Sequence, residues 1–144
     1  MQTYKRGFTL VELIVVIVIL GILAATALPR FIDVTSQSRT AAVNGIAGGI
    51  ASAIGVVQAK YFANGSSAAT SVSMADGTVV TVTAGSGLPI STSVNGIGNA
   101  LGSTSGMTVV YGATATFTPS GGSATCQATY NGTTGVVSSV VSTC

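Results

Sequence analysis

Near its start the chain contains a long run of apolar residues, from Phe8 to Leu28, in which Glu12 is the only charged side chain. As an α-helix this run spans roughly 30 Å, the thickness of the hydrocarbon core of a bilayer. The short segment before it contains Lys5 and Arg6, and basic residues that flank a membrane helix stay on the cytoplasmic side. The pattern therefore predicts one membrane span, with everything after Pro29 on the outer side.

Beyond the apolar run, hydrophobic residues recur at steps of three and four, the period of an α-helix with one buried face. We expect the helix to continue to about Phe62, as a membrane-spanning half over residues 8–29 and an amphipathic half over residues 30–62. The face that we expect to pack on a sheet consists of Val43, Ile46, Ile50, Ile54, Val57 and Tyr61.

A neighbouring stripe of this helix contains only small residues: Gly45, Gly48, Gly49, Ser52, Gly55 and Ala59. Each glycine inside a helix costs about 1 kcal/mol relative to alanine, so the stripe needs a reason. Two explanations are open: small residues let a second helix approach closely, or the helix is flexible or interrupted here. We favour close packing in a core made of several subunits.

From residue 63 onward the chain is rich in Ser and Thr, and Asp76 is its only charged residue. Valine, threonine and aromatic residues alternate between glycine-containing turns, a pattern typical of strands. This predicts strands at 78–84, 107–118, 124–130 and 136–142 in one small antiparallel sheet, with surface loops at 63–77 and 85–106. The predicted fold class is α+β, a long N-terminal helix packed on the sheet of a head formed by residues 63–144.

Cys126 and Cys144 are the two cysteines of the chain, and the predicted orientation places them outside the cytoplasm. A disulfide bond is the expected state there, stabilising the fold by roughly 3 kcal/mol; the alternative is two free thiols. If residues 131–135 form a hairpin turn, Tyr130 faces Val136, and Cys126 lies opposite a residue well short of Cys144. The C-terminal tail must then fold back, or the turn lies elsewhere.

Composition narrows the possible functions. Charged residues make up 6% of the chain, against about 25% in a typical soluble domain. The formal net charge of +2 depends on Lys5 and Arg6, and without residues 1–7 the positive and negative side chains balance. Nucleic-acid binding, which needs clustered Lys and Arg, has no support from this distribution.

Reactive side chains are equally sparse. The chain has no His, and its acidic residues are Glu12, Asp33 and Asp76, far apart in sequence. No base stands out that would activate one of the many hydroxyl groups as a nucleophile. Two cysteines and scattered carboxylates do not make a zinc or calcium site either. We therefore expect no enzymatic activity, no cofactor and no metal.

Glu12 is unusual, because a carboxylate within a membrane helix costs on the order of 2.5 to 3.5 kcal/mol. Before it stand a short basic leader ending in Gly7 and then Phe8, Thr9 and Leu10, and after it comes the apolar helix. In this arrangement the chain resembles the type IV prepilins, over the leader and most of the long helix. The head, with two cysteines near the C-terminus, is similar only in outline to that of pilins of the mannose-sensitive hemagglutinin type.

The resemblance implies a specific route of processing and assembly. Prepilin peptidase is expected to cut after Gly7 and to methylate the new N-terminal residue, Phe8. In the family, the acidic residue placed like Glu12 pairs with the N-terminal amine of a neighbouring subunit and sets its axial register. The segment between residues placed like Gly21 and Pro29 loses helical hydrogen bonds inside filaments. A disulfide like that expected here encloses an exposed, variable loop.

The residues themselves leave alternatives at two of these positions. Spacing lets the Glu12 carboxylate meet the amine of its own Phe8, four residues away, or that of a neighbour; it can also reach the membrane interface and have no role. Pro29 cannot donate a helical hydrogen bond, so a kink or local break is expected there. A simple bend that positions the head is compatible with a helix that yields in the filament.

Three functions are compatible with these features. The first is a major pilin, a structural subunit that leaves the inner membrane and assembles, with the pilus machinery, into a homo-oligomeric extracellular fibre for adhesion, surface attachment or motility. The second is a pseudopilin of a type II secretion system, which carries the same N-terminal signature. The third is a minor pilin that binds DNA or a host ligand. The cysteine pair and the lack of a calcium-type acidic cluster favour the first.

Overall fold

The computed structural model describes the backbone of residues 7–144, and the side chains of that range except those of residues 28–33. The chain forms two compact units, Met1–Ser36 and Gln37–Cys144. Helix α1, Leu10–Ala63, contributes to both units. Each unit is considered by itself.

The C-terminal end of α1 is set by Asn64 and Gly65. The Asn64 amide donates to the Lys60 oxygen over 3.1 Å, and the Gly65 amide donates to the Phe62 oxygen over 3.1 Å. Gly65 has a φ of +69°, the left-handed conformation that commonly terminates helices and that glycine adopts without strain. The prediction of one long helix reaching about residue 62 is therefore confirmed.

The second unit contains two antiparallel sheets. The smaller one pairs β1 (Ser71–Ser73) with β2 (Val79–Thr81). A short π-helix, Val94–Gly98, and helix α2, Asn99–Leu101, follow. The larger sheet is a four-stranded meander in the order β3-β4-β5-β6. Its strands are β3 (Met107–Val110), β4 (Thr114–Pro119), β5 (Gln127–Asn131) and β6 (Val137–Val140). The α+β fold class is confirmed.

The predicted apolar face of α1 forms the centre of the core. Val43, Ile50 and Ile54 pack in one cluster with the inner face of the larger sheet, which presents Ala115, Phe117, Ala128 and Tyr130. Val57 and Tyr61, nearer the end of α1, pack in a second cluster with Val72, Val80 and Val82 around the smaller sheet. Ile46 is half-buried beside the first cluster. The helix face that the period predicted is buried, but it packs on two sheets rather than on the single sheet that was expected.

The strand predictions were partly wrong. Residues 107–118 form two strands rather than one, because the chain reverses at residues 111–113 and the Gly112 amide donates to the Ser91 oxygen instead of to a strand neighbour. The expected loop at 63–77 contains β1, and the expected loop at 85–106 contains the π-helix and α2. The single sheet is therefore two sheets, since β2 pairs with β1 and not with the meander.

The predicted hairpin register was wrong by one residue. Tyr130 pairs with Val137, not with Val136, because Asn131 still belongs to the ladder and its amide donates to the Val136 oxygen over 3.0 Å. After β6 the tail turns back, and the Thr143 amide donates to the Thr125 oxygen over 3.5 Å. Folding back of the tail, one of the two solutions that the sequence left open, is what the structure shows.

Candidate functional site

The N-terminal end of α1 is closed by a reciprocal pair of side chains, Thr9 and Glu12. The Thr9 amide and the Thr9 hydroxyl both donate to Oε2 of Glu12, each over 3.0 Å. The Glu12 amide in turn donates to Oγ1 of Thr9 over 3.2 Å. This is a capping box, which satisfies amide groups that the first turn of a helix leaves without partners. Our sequence reasoning missed it, although a Thr followed three residues later by Glu is its signature.

The capping box places the residues of the predicted cleavage site outside the helix. Gly7 and Phe8 have no helical conformation, and Phe8 is exposed. The carboxylate of Glu12 lies within its own first turn and is itself exposed to the surroundings of the chain. In this uncleaved form the carboxylate is held by Thr9, and the amine that cleavage would create at Phe8 does not exist.

The apolar segment that contains Glu12 has no buried residue. Residues Leu10–Ala27 have a mean hydropathy of 2.8 with no residue buried, and their length and composition suffice to cross a membrane. A second stretch of α1, Val34–Ala63, passes the same test at a mean hydropathy of 1.6, but part of it belongs to the core of the head. Contiguous exposed apolar surface on this scale marks a membrane or protein contact.

Helix α1 is continuous at Gly21 and at Pro29. A Cβ atom added at Gly21 would meet no other atom within 4 Å, so nothing in the isolated chain requires glycine there. The side chain of Pro29 lies outside the described residues. The family resemblance places the loss of helical hydrogen bonds in the filament, so the break at these positions stays a prediction.

The stripe of small residues lies on the exposed side of α1. All six of its members are exposed, and a Cβ atom at Gly45, Gly48, Gly49 or Gly55 would meet no other atom within 4 Å. The helix is not interrupted along the stripe. Within one subunit, therefore, neither packing nor a change in backbone conformation explains the glycines.

The two cysteines form the expected disulfide. Cys126 and Cys144 are bonded, with their Cα atoms 4.9 Å apart. Cys126 is buried in the core of the larger sheet, and Cys144 packs against its edge. Nη1 of Arg39, on α1, donates to the main-chain oxygen of Cys144 over 3.4 Å. The tail is thus attached both to the residue before β5 and to the helix, and the contact with Arg39 was not visible in the sequence.

Tyr61 holds loops onto the core, a role that sequence reasoning also missed. The hydroxyl of Tyr61 donates to the Ser67 oxygen over 2.6 Å and accepts from the Gly85 amide over 2.8 Å. The Tyr61 ring also contacts Phe62 edge to face and lines, with that residue and residues 65–67, a shallow cavity of about 140 Å³. A cavity this small and open, next to a tyrosine whose hydroxyl is already paired, is a by-product of the loop anchor.

The described residues contain no group of three or more His, Cys, Asp or Glu side chains placed to hold a metal ion. Among them Asp76 accepts from the amide and the hydroxyl of Thr78, both over 2.9 Å, and these hydrogen bonds hold the pKa of Asp76 below its usual value. Burial raises the pKa of Tyr130 to about 12. The main exposed surface feature among the described residues is the apolar segment Leu10–Ala27, which contains Glu12.

Comparison with known proteins points to the same segment. Residues 2–28 match the family described as the prokaryotic N-terminal methylation motif, a range that includes Gly7, Phe8 and Glu12. The chain is 54% identical over 57 residues to the major component of the narrow type IV pilus of Thermus thermophilus, covering 38% of this chain and 49% of that protein.

Two further relatives are similar over the same kind of range. A type IV major alpha-pilin of Moraxella bovis is 56% identical over 41 residues, covering 28% of this chain and 26% of the relative. A type IV major pilin of Neisseria gonorrhoeae is 46% identical over 54 residues, covering 38% of this chain and 33% of the relative. The chain thus matches at most about half the length of each of these relatives.

No solved structure matches the chain. The prepilin motif and the exposed apolar helix fit a membrane-anchored protein that forms an extracellular pilus. Together with the matches to major pilins, they show that the N-terminal part of this chain is similar to that of type IV pilins.

Proposed function

We propose that the chain is the structural subunit, the major pilin, of a type IV pilus, which assembles by bundling of its N-terminal helices. The observation that carries the proposal is the segment Leu10–Ala27, apolar and without a buried residue. In a lone subunit this surface is compatible only with a bilayer. In a fibre it is covered by the same segment of neighbouring subunits, which removes apolar area from water just as a bilayer does.

Processing precedes assembly in this proposal. Prepilin peptidase cleaves between Gly7 and Phe8 and methylates Phe8. The scissile bond lies in the non-helical residues ahead of the capping box, where a peptidase reaches the backbone without unwinding a helix. The basic leader keeps this end in the cytoplasm, so that the head lies in the periplasm before it reaches the fibre surface. The disulfide between Cys126 and Cys144 supports that location, because such bonds persist in oxidising compartments.

Glu12 acts in assembly as the register mark between subunits. Cleavage creates a positively charged amine at Phe8, and in the apolar interior of a fibre the Glu12 carboxylate is costly unless it is paired. The amine of an incoming or neighbouring subunit offers a stronger partner than the neutral hydroxyl and amide of Thr9. Pairing between subunits therefore favours one axial position of each subunit relative to its neighbour.

The exposed stripe of small residues supports helix bundling beyond the membrane segment. The stripe is an uncharged surface of helix α1. Its glycines contact no other part of the subunit. A helix of another subunit can approach such a surface closely. The packing energy of that contact offsets the low helix propensity of the glycines. The segment between Gly21 and Pro29 is where we propose that the helix loses hydrogen bonds within the bundle.

The test is electron microscopy of material sheared from cells, combined with mass spectrometry of its main subunit. We expect thin fibres composed of this chain, beginning at a methylated Phe8 and containing the disulfide. Fibres that appear only when the protein is overproduced would instead indicate a pseudopilin, and a subunit present only in trace amounts in fibres of another protein would indicate a minor pilin. A chain still carrying residues 1–7 in assembled fibres would contradict the processing route.

A further inference from the structure

The folded unit Gln37–Cys144 has three charged side chains: Arg39, Lys60 and Asp76. Arg39 is half-buried and donates to the Cys144 oxygen. Lys60 and Asp76 are exposed. The surface of this unit is otherwise covered by hydroxyl groups and small or apolar side chains, so its fully exposed charged side chains are one positive, Lys60, and one negative, Asp76, beside the half-buried Arg39.

Lys60 lies in the last turn of α1. Its ammonium group has no hydrogen-bond or ion-pair partner among the described residues. One turn earlier on the same face of the helix is Val56, a large apolar side chain that is 55% exposed. Lys60 thus stands at the end of an uncharged, exposed helix surface.

Asp76 lies in the turn between β1 and β2. Its Oδ1 accepts from the Thr78 amide and its Oδ2 from the Thr78 hydroxyl, both over 2.9 Å, so the carboxylate is fixed in orientation without being neutralised. No cation lies within ion-pair distance of it among the described residues. Val79, which follows Thr78, is 52% exposed. Asp76 therefore also stands beside apolar surface, and it is pre-oriented for a partner.

We propose that Lys60 of one copy and Asp76 of a neighbouring copy form an ion pair at a repeating contact between heads in the fibre. The partner is a second copy of this chain, so the inference rests on the proposed function. A fibre of identical subunits joins two different patches of each copy. Opposite charges on those patches determine which patch meets which, and every subunit supplies one of each.

The sparse charge of the head makes this pairing selective. A single exposed ion pair contributes little, but it has few rivals on a surface that is otherwise uncharged, and each added subunit forms it again. The exposed Val56 and Val79 exclude water beside it, which weakens screening. The acidic residue that competes for Lys60 is Asp33, whose side chain lies outside the described residues, so the experiment must separate Asp76 from Asp33.

Zero-length cross-linking of purified wild-type fibres shows whether Lys60 contacts Asp76 or Asp33. A carbodiimide condenses an amine with a carboxylate to an amide, with loss of water, only where the two are in contact. We expect covalent dimers and, by mass spectrometry of the dimer band, a peptide pair joining Lys60 to Asp76 that is absent from the monomer band. Lys60→Arg keeps the charge and the fibre but loses this link, because a guanidinium does not react. Asp76→Asn loses it as well.

Charge exchange tests whether the contact stabilises the fibre. Lys60→Glu and Asp76→Lys are each expected to raise the release of subunits from fibres at low ionic strength about 2- to 5-fold. The double variant is expected to return the release towards the wild-type value, which separate defects in helix capping or hairpin folding would not do. Thermal unfolding of the detergent-solubilised variants shows whether the heads fold.

The outcomes separate the two proposals. If Lys60 in wild-type fibres is cross-linked to Asp33, or to no residue, the proposed ion pair is wrong. The proposed function as a fibre subunit would still stand. A double variant no better than the single ones would overturn the ion pair too. Failure of the wild-type chain to form fibres would overturn the proposed function itself.

Discussion

The hydroxyl of Tyr130 donates a hydrogen bond to the main-chain oxygen of Pro89 over 2.7 Å, inside the head. Both residues are fully buried, and Tyr130 belongs to the middle of the larger sheet whereas Pro89 lies in the long connection before it. The bond joins two parts of the chain that local sequence pattern treats as unrelated. It also means that the loop over residues 85–106 is fixed to the core rather than free on the surface.

We expect Tyr130→Phe to lower the free energy of unfolding by about 1–3 kcal/mol, because it leaves the buried oxygen of Pro89 without a partner. Denaturant unfolding of the detergent-solubilised chain measures this. Tyr111→Phe is the matched control, since the Tyr111 hydroxyl has no hydrogen-bond partner among the described residues; a similar loss in both variants would contradict the explanation.

The same tyrosine predicts a dependence on alkaline pH. Burial disfavours the phenolate and raises the pKa of Tyr130 from its ordinary value of 10.0 to about 12. A folded pKa raised in this way leaves the stabilisation complete below about pH 10 and removes it as the pH rises towards 12, by on the order of 1 kcal/mol per pH unit. Tyrosinate absorbance during a rapid pH titration should show the late ionisation of Tyr130 in the wild type, and this step should be missing in Tyr130→Phe.

Gly87 and Gly85 make a second matched pair. Both have positive φ values, +67° and +84°, but a Cβ atom at Gly87 would lie 2.6 Å from the Tyr61 ring, whereas one at Gly85 would meet nothing within 4 Å. Gly85→Ala is expected to cost about 1–2 kcal/mol of backbone strain. Gly87→Ala should cost about 1–3 kcal/mol more, because the ring must move. Equal melting temperatures for the two variants would exclude the steric contribution.

Removing the disulfide, by Cys126→Ser together with Cys144→Ser, should lower the free energy of unfolding by about 3 kcal/mol. Reduction of the wild-type protein should add two hydrogen atoms to its intact mass and lower its melting temperature comparably. The double variant is the control, since a reductant should leave its melting temperature unchanged.

Glu12 can be tested with two substitutions that differ in one property. Glu12→Gln retains an oxygen that accepts from Thr9 but loses the charge, whereas Glu12→Ala loses both. We expect both variants to enter the membrane and to be cleaved after Gly7, and neither to form fibres. Electron microscopy and the mass of the mature chain are the measurements. Normal fibres from Glu12→Gln would show that the capping box, and not charge pairing, is what assembly needs.

The features that sequence predicted well are those with a strong local period. The buried face of α1, from Val43 to Tyr61, follows from a repeat that only a helix satisfies. The division of residues 107–118 was missed because the alternation of strand residues continues across Gly112, and β1 was missed because three residues carry too little pattern. The contacts of Arg39 with Cys144 and of Tyr130 with Pro89 join distant parts of the chain, so no local pattern encodes them.

The segment Leu10–Ala27 contributes no buried residue to the core of the protein. The two hydrophobic clusters of the head are formed by residues of the unit Gln37–Cys144 alone. The disulfide lies in the same unit. If the chain polymerises through this segment, as proposed, growth of the polymer exchanges the neighbours of the segment and does not require the head to unfold.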